Sequence, residues 1–319
     1  MQTYIIRRII LIIPTLLLAS IIVFMIVRFI PGDVVDLMAA QAGGTSAPVD
    51  VDVDSLRRAL GLDVPVHIQY LNWVAGLFRG DLGDSLWTGQ AIAPDLIGRL
   101  PVSLELGILA LILGLSVALP IGVYSAIRQD TWGDYTGRTI SIIFISVPSF
   151  WTGTMIMIYP SIWWRWSPPV EYIPLISNVG ANLLQFILPA FILGMLLSGG
   201  TMRMTRTMML EVLRQDYIRT AWAKGLNERT VIIRHTLKNA LIPVVTLVGL
   251  QLPILIGGSV ILEQIFTLPG VGRYLLDAIN TRDYPIISAV NIVLATFVLA
   301  INLMIDLTYG YLDPRIHYQ

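Results

Sequence analysis

Six stretches of this chain are apolar and long enough to cross about 30 Å of membrane hydrocarbon. They cover residues 9–30, 102–127, 139–162, 183–202, 243–266 and 286–308. The chain of 319 residues is 13% charged, whereas soluble domains are about 25% charged. Because lipid offers no hydrogen bonds to the backbone, each such stretch must form a helix. The sequence therefore predicts an all-α integral membrane protein with six transmembrane helices.

Basic residues predict how these helices are oriented. Ten Lys and Arg residues fall in the loops 128–138 and 203–242, whereas the two short loops on the other side carry three. Lys and Arg are enriched in cytoplasmic loops. Arg7 and Arg8, which precede the first span, agree with this pattern. We therefore expect a multi-pass protein with both termini in the cytoplasm and residues 31–101 outside the cell.

The predicted spans divide the chain into four parts. These are an N-terminal transmembrane helix over 1–30, an external insertion over 31–101, a five-span core over 102–308 and a cytoplasmic tail over 309–319. The apolar run in the first part is longer than the roughly 7–15 residues of a signal peptide. We therefore expect this first helix to be retained.

The external insertion is too long for a simple loop, and we expect two short helices in it. Asp54 can cap one that ends near Leu60, and the second covers Val66 to Phe78. Asp50, Asp52 and Asp54 alternate with valines. This pattern favours a solvated linker over a cation site.

The segment from Arg203 to Lys238 contains eight Lys and Arg residues. Burying these charges in lipid would cost on the order of 20 kcal/mol, so the segment lies in water between two spans. We expect a helix that continues from the fourth span and ends near Gly225. Ile218, Ala221 and Trp222 share a face with this glycine. Small side chains let another backbone approach closely, which indicates a docking surface.

Asn227 can cap a second helix in the same segment. We expect Ile233, Leu237 and Ala240 on one face of that helix and basic residues on another. The alternative is a basic amphipathic helix pair that lies on anionic lipid. That alternative fits the charges but leaves the small residues of the first helix unexplained.

The chain lacks the motifs of a nucleotide-binding protein or a metalloenzyme. A P-loop needs Gly-Lys followed by Ser or Thr, but the chain's two lysines, Lys224 and Lys238, precede Gly225 and Asn239. Cysteine is absent and the three histidines are far apart, which argues against a metal site. The net charge is zero, and its segregation along the chain reflects topology and not nucleic-acid binding. We therefore expect no catalytic residue, no metal site and no cofactor bound by this chain.

The tetrapeptide Gly83-Asp84-Ser85-Leu86 resembles the nucleophile signature of one lipase and esterase group. Such a serine needs a histidine to activate it, which that group supplies in an Asp-x-x-His element. No acidic residue stands three positions before any histidine of this chain. His235 is also predicted on the opposite side of the membrane from Ser85. The sequence therefore favours a chance match.

Several features of the spans are compatible with a transport path. Gln251, Asn291 and Asn302 are the polar side chains deepest in the predicted spans. They either line a pathway or form hydrogen bonds between helices, and packing is the favoured reading. Prolines occur in or at the start of five spans, which fits both a bundle that changes shape and ordinary membrane composition.

Several short motifs carry a family resemblance. The first is Ala221-Trp222-Ala223-Lys224-Gly225-Leu226, and the second runs from Arg234 to Pro243 as Arg-His-Thr-Leu-Lys-Asn-Ala-Leu-Ile-Pro. Others are Arg28 to Asp33, Arg79 to Gly83, Ser146 to Trp151, Leu268 to Gly272 and Asp313 to Arg315. Together they resemble the permease subunits of ABC importers, in the branch that carries oligopeptides and dipeptides. The general family pattern has Glu-Ala where this chain has Arg219 and Thr220, so Asp216 is the nearby residue that can supply the acidic charge.

This resemblance implies a type I (MetI-like) importer core with an extra N-terminal span and an external insertion, located in the cell's inner membrane. It implies that the chain forms half of a translocation pathway with a second, homologous permease subunit. Two ATP-binding subunits would bind ATP and Mg and hydrolyse the ATP, and an external substrate-binding protein would deliver the substrate. The cargo classes of this branch are dipeptides, longer peptides, glutathione and nickel chelates.

The resemblance also implies which residues contact the ATPases. They are Asp216, Ile218, Ala221, Ala223, Lys224, Gly225 and Asn227. The alternative function is a secondary transporter driven by an ion gradient, which would favour a deeply buried carboxylate or an inverted repeat. The sequence shows neither clearly.

Overall fold

The computed structural model describes residues 2–29, 38, 57–58, 62–169 and 171–312. In these residues the regular elements are helices, and no strand longer than an isolated bridge occurs. The helices are α1 (Gln2–Phe29), α2 (Val66–Phe78), α3 (Ile92–Ile127), α4 (Trp132–Ser146), α5 (Ser149–Trp164), α6 (Val179–Leu213), α7 (Asp216–Ala223), α8 (Lys238–Ile265), α9 (Val271–Thr281) and α10 (Tyr284–Leu312). Of the predicted helix capped by Asp54, the structure describes Arg57 and Arg58, and both are helical. The aspartate-rich linker and tail residues 313–319 lie outside the described residues.

The long helices match the predicted spans. Across the described ranges, five helical segments are long and apolar enough to cross a membrane: α1, α3, α6, α10 and the segment Glu228–Ile265, which includes α8. The remaining predicted span, 139–162, falls on the pair α4 and α5. With 36 and 35 residues, α3 and α6 are each about 50 Å long. They therefore extend beyond the hydrocarbon layer.

The predicted third span is bent. The axes of α4 and α5 meet at 91° across a short break. Val147 there is extended, with ψ of 119°, and Pro148 follows it. A residue before proline avoids the helical conformation because the proline ring clashes with it. The Val147-Pro148 pair therefore ends α4 and turns the chain into α5.

The chain divides into two compact units. One contains residues 1–101 and 270–300, and the other contains 102–269 and 301–319. In the first unit, buried apolar side chains of α1, α3, α9 and α10 form a core that includes Val27, Ile92, Leu96, Val271 and Val290. The predicted helix over Val66 to Phe78 is confirmed as α2, which begins after Pro65. Proline is well tolerated at a helix start because it has no N–H to leave unpaired.

α2 packs along α1 through aromatic and polar contacts in the first unit. Tyr70 and Trp73 contact Phe24, with ring centroids 5.3 and 5.6 Å apart. The Ser20 hydroxyl lies 2.9 Å from the Tyr70 hydroxyl. The Arg28 guanidinium donates to the side chain of Gln69. These contacts fix part of the external insertion on the first transmembrane helix.

The second unit has its own apolar core. It is built from buried side chains of α3, α6 and α8, among them Leu106, Phe186, Leu193 and Leu262. Asn178 caps the start of α6, where its side chain accepts from the Ala181 amide at 3.1 Å. Such a cap satisfies one of the free amides at a helix start.

Candidate coupling surface

The basic segment forms a short helix that is separate from the preceding span. The prediction that one helix continues from the fourth span to Gly225 is wrong, because α6 ends at Leu213 and the eight-residue α7 begins at Asp216. The Arg214 amide donates to the Glu211 carbonyl at 3.3 Å, and the Gln215 amide donates to the Val212 carbonyl at 3.1 Å. This hydrogen-bonded turn redirects the chain at the end of α6.

Gly225 terminates α7. Its amide donates to the Trp222 carbonyl at 2.9 Å, and the Leu226 amide reaches the Ala221 carbonyl at 3.4 Å. This pair of bonds is the Schellman arrangement of a helix C-terminus. It places Gly225 at a φ of +74°, which favours glycine. A Cβ added at Gly225 would have no neighbour within 4 Å, so the space beside it is open.

The inner face of α7 is anchored in the protein. Ile218 is 0% exposed and Ala221 is 7% exposed. Both pack in a small cluster with buried Val231 and half-buried Val212. Burying an isoleucine side chain contributes about 1.5–3 kcal/mol, so this cluster holds α7 against the segment that follows it. Ile218 and Ala221 therefore position the helix from within.

The outer face of α7 and the residues after it are exposed. Asp216, Ala223, Lys224, Gly225 and Asn227 all belong to this exposed set. Asp216 accepts from the Arg219 guanidinium at 3.3 Å, and their side chains are 95% and 75% exposed. A pair this exposed contributes little stability, so both side chains are available to another molecule.

The exposed set also contains two aromatic residues that were not among the predicted ATPase contacts. Tyr217 and Trp222 are each 45% exposed. Trp222 was within the quoted motif, and its size was the signal that could have selected it, because large aromatic side chains are enriched at protein interfaces. The Tyr217 hydroxyl accepts from the Asn239 amide group at 2.9 Å, which ties α7 to the start of α8.

A helical turn and a π-helix connect α7 to the fifth span. As predicted, Asn227 caps the turn Glu228–Thr230, and its side chain accepts from the Thr230 amide at 2.9 Å. The π-helix Val231–Leu237 follows. Its buried Thr236 hydroxyl donates to the Val231 carbonyl, five residues back, at 3.0 Å.

The π-helix changes which residues of this segment face inward. Val231, Thr236 and Ala240 are buried, whereas Ile233 is 51% exposed. The expectation that Ile233 shares a face with Leu237 and Ala240 assumed α-helical spacing and is wrong. The wider π-helical turn separates buried Val231 from buried Thr236 by five positions, where an α-helical turn would separate them by four. The buried face of this segment is therefore rotated from the one predicted.

Two of the three predicted pathway residues have described contacts with helices. The Gln251 side chain lies against Gly200 of α6, where an added Cβ would be 3.2 Å from its nitrogen. The Asn291 amide group donates to the Ile287 carbonyl of its own helix at 2.8 Å. Asn302 is half-buried on α10. Their place in a pathway stays a prediction.

The hydrolase-like tetrapeptide has a structural role. The Ser85 hydroxyl donates to buried Asp283 at 2.6 Å, and the amides of Trp87 and Thr88 donate to the same hydroxyl at 3.2 and 3.1 Å. The Leu86 amide also donates to Asp283, at 3.3 Å. These bonds fix the turn after Gly83 onto the start of α10. Among the described residues, no group of three or more His, Cys, Asp or Glu is placed to hold a metal ion.

One buried ion pair on α6, the helix that precedes this surface, was not predicted from the sequence. Arg206 on α6 binds Asp134 on α4 through two bonds of 2.7 Å each. The segment 128–138 contains two acidic residues, and the segment 203–242 contains eight basic ones. Their pairing could not be read from sequence spacing because the two segments are far apart along the chain.

Comparison with known proteins identifies the family. The family model "Binding-protein-dependent transport system inner membrane component" matches residues 118–318. The model "Binding-prot-dependent transport system membrane comp, N-term" matches residues 1–106. The dipeptide transport system permease protein DppB of Escherichia coli K12 is 37% identical over 342 residues, and the oligopeptide transport system permease protein AppB of Bacillus subtilis 168 is 40% identical over 321 residues. Both alignments cover 100% of this chain and of the relative.

Solved structures share the fold. A structure of the MetNI methionine ABC transporter, described as inward facing, matches with a TM-score of 0.54 and 16% identity, over 69% of this chain and 96% of that chain. An amino acid ABC transporter matches with a TM-score of 0.54 and 12% identity, over 69% and 94%. These likenesses confirm the predicted type I, MetI-like core.

The matches also decide between the two predicted functions. Proteins of the matched family are membrane components of ATP-driven importers that depend on a binding protein, so the alternative of an ion-gradient-driven transporter is wrong. The chain belongs to the family of binding-protein-dependent transport system inner membrane components.

Proposed function

We propose that this chain is the permease subunit of a peptide importer and performs no chemistry itself. Full-length similarity to a dipeptide permease and an oligopeptide permease, at 37% and 40% identity, supports peptides as the cargo. The chain forms half of the translocation pathway, and a second, homologous permease subunit forms the other half. An external binding protein delivers the peptide to this pair.

In this proposal, two partner subunits bind and hydrolyse ATP, and α7 is the contact through which they act. The exposed residues Asp216, Ala223, Lys224, Gly225 and Asn227 touch the ATPase, whereas Ile218 and Ala221 hold the helix in place from its inner side. One observation supports this assignment above the others. α7 is packed against the protein on one face and exposed on the other, and it lies in the most basic segment of the chain. An anchored helix can transmit force, which a loosely attached loop cannot.

The topology of the proposal places α7 and both termini in the cytoplasm of a multi-pass inner-membrane protein. The excess of Lys and Arg in 128–138 and 203–242 supports this orientation. It puts α7 on the side of the membrane where ATP is available.

A matched pair of variants at Gly225 tests the docking assignment. A Cβ at this position would meet no atom of this chain within 4 Å, so the side chain starts in open space, where its bulk would obstruct a docked partner. Both Gly225→Trp and Gly225→Asn carry backbone strain of about 1–2 kcal/mol at positive φ, and Asn tolerates it better. In the whole transporter, we expect Gly225→Trp to abolish uptake of a labelled dipeptide or tetrapeptide while the permease still inserts into the membrane. Gly225→Asn should retain most uptake, and normal uptake by Gly225→Trp would refute the assignment.

A further inference from the structure

The buried ion pair between Asp134 and Arg206 joins helices that are distant in sequence. The Arg206 Nε and Nη2 atoms donate to the two carboxylate oxygens of Asp134 at 2.7 Å each. The Asp134 side chain is 0% exposed and that of Arg206 is 19% exposed. A two-bond contact between a planar guanidinium and a carboxylate fixes orientation as well as distance.

The Asp134 carboxylate accepts two further hydrogen bonds. Ser125 of α3 donates its hydroxyl, and the Asp130 amide in the α3–α4 turn donates at 3.1 Å. Asp130 has a φ of +60°, an uncommon conformation for a residue other than glycine. The carboxylate therefore holds the end of α3, the α3–α4 turn, α4 and α6 together at one point.

The helices around this ion pair pack with their backbones in contact. A Cβ added at Gly122 of α3 would lie 2.8 Å from Thr205 Cβ and 2.9 Å from the Met202 carbonyl oxygen of α6. A Cβ added at Gly199 of α6 would lie 2.7 Å from the Ser141 carbonyl oxygen of α4. The Ser141 hydroxyl also donates to the Gly199 carbonyl at 2.7 Å. These contacts leave little space for one helix to slide past another.

α7 is connected to this group of helices by a short path. Arg206 lies about two helical turns before α6 ends, and the hydrogen-bonded turn at Arg214 and Gln215 follows. Met209, between them, is 0% exposed and packs with Ala126 of α3 and Ala240 of α8. A displacement of α7 therefore reaches α6 within a few residues, close to the Asp134–Arg206 ion pair.

We propose that Asp134 and Arg206 are positioning residues that make α3 and α4 follow α6 when the partner ATPase moves α7. This inference rests on the proposed function, because it needs α7 to be the ATPase contact. The close backbone contacts limit sliding, whereas the two-bond contact fixes the orientation of α6 on α4. Without the ion pair, α6 can change its tilt relative to α4, and ATP hydrolysis then proceeds with a smaller matching movement of α3 and α4. The Asp134–Arg206 ion pair therefore helps to set the amount of peptide taken up per ATP hydrolysed.

The test is made on the whole transporter in proteoliposomes, where ATP hydrolysis and peptide uptake are measured together. The variants are Asp134→Asn, Arg206→Gln and the double variant. We expect each single variant to lower uptake per ATP hydrolysed about tenfold, within the range usual for coupling between sites. Basal ATP hydrolysis should persist. The double variant should be no worse than the worse single variant, because both remove the same contact.

Two comparisons separate positioning from loss of folding. Arg138→Gln removes a cation from an exposed position on α4 and should leave uptake per ATP unchanged. If a single variant fails to accumulate in the membrane, Arg206→Lys decides, because it keeps the charge and loses the two-bond geometry. If the positioning role is correct, Arg206→Lys lowers peptide uptake per ATP hydrolysed as well.

The results that overturn this inference differ from those that overturn the proposed function. Two results would refute the positioning role alone. One is an unchanged ratio of peptide uptake to ATP hydrolysis in Arg206→Lys. The other is a double variant in which the effects of the two single variants multiply. If no ATPase subunit co-purifies with the wild-type permease, the proposed function itself fails.

Discussion

At the scale of single residues, the structure separates side chains that hold α7 from side chains that α7 presents. The family resemblance implied Ile218, Ala221 and Gly225 as contact residues, and helical spacing placed the three on one face. The structure buries Ile218 and Ala221 and leaves Gly225 exposed. Sequence spacing could identify this face of α7 but not the side chains that pack against it. Val231, which covers Ile218 and Ala221, reaches them only after the chain turns at Gly225.

The anchoring role of Ile218 predicts a loss of stability when the side chain is shortened. Ile218→Ala removes a fully buried side chain, which typically lowers the free energy of unfolding by about 2–5 kcal/mol. The local loss should release α7 and be detected as faster proteolytic cleavage near residue 218 and reduced uptake. Ile233→Ala, the same change at a position that is 51% exposed, should alter stability by about 0.5 kcal/mol or less. Equal protease resistance of the two variants would show that Ile218 does not anchor α7.

At the scale of helices, proline and the π-helix interrupt regular structure at identifiable places. Pro14, Pro189, Pro243 and Pro253 lie inside helices. Pro148, in contrast, follows the 91° bend between α4 and α5. Pro148 differs because Val147 and Pro148 are both extended, with ψ of 119° and 133°, before the next helix begins at Ser149. The sequence therefore shows which residues can interrupt a helix, while packing decides which of them do.

The π-helix predicts an unusual tolerance to deletion. Removing exposed Ile233 would shorten the five-residue interval between Val231 and Thr236 to four, which is the α-helical spacing that already separates Thr236 from Ala240. The buried residues should then keep their face, and the variant should fold and insert with wild-type thermal stability. Removing Leu250, which is 60% exposed in α-helical α8, would rotate the following residues by about 100° and should prevent folding. Failure of the Ile233 deletion to insert would contradict this account of the π-helix.

The elements that the sequence predicted well are those set by local chemistry. The bounds of α2 follow from Pro65 and a short apolar stretch, and the Asn227 cap follows from a side chain that reaches its own backbone. The break between Leu213 and Asp216 had no proline or glycine to indicate it. The Asp134–Arg206 ion pair likewise depends on which helices become neighbours. Both of these features are consequences of tertiary packing and not of local preference.

At the scale of the whole molecule, long apolar helices and the distribution of basic residues predict the topology. In the described residues, apolar helices give five possible spans, and the pair α4 and α5, bent at Pro148, gives a sixth when the two helices are counted as one span. Family membership agrees with a multi-pass membrane component. The side of the membrane on which each loop lies is predicted from the distribution of Lys and Arg. The fold alone does not indicate it.

The absence of cysteine makes this orientation directly testable. Ile176→Cys, in a predicted external loop, and Trp132→Cys, in a predicted internal one, replace side chains that are 100% and 89% exposed. A thiol reagent that cannot cross the membrane should label position 176 in intact cells. It should label position 132 only after the membrane is opened. Labelling of position 132 in intact cells would reverse the proposed topology.

The most direct test of the account is to ask what molecule touches α7 in the assembled transporter. Lys224→Cys places the protein's only thiol at an exposed position beside Gly225. A short photoactivatable crosslinker attached there should join the permease to an ATPase subunit, and the same crosslinker on Ile176→Cys should not. Crosslinking of position 224 to lipid headgroups, or to the external binding protein, with no ATPase product would contradict the account.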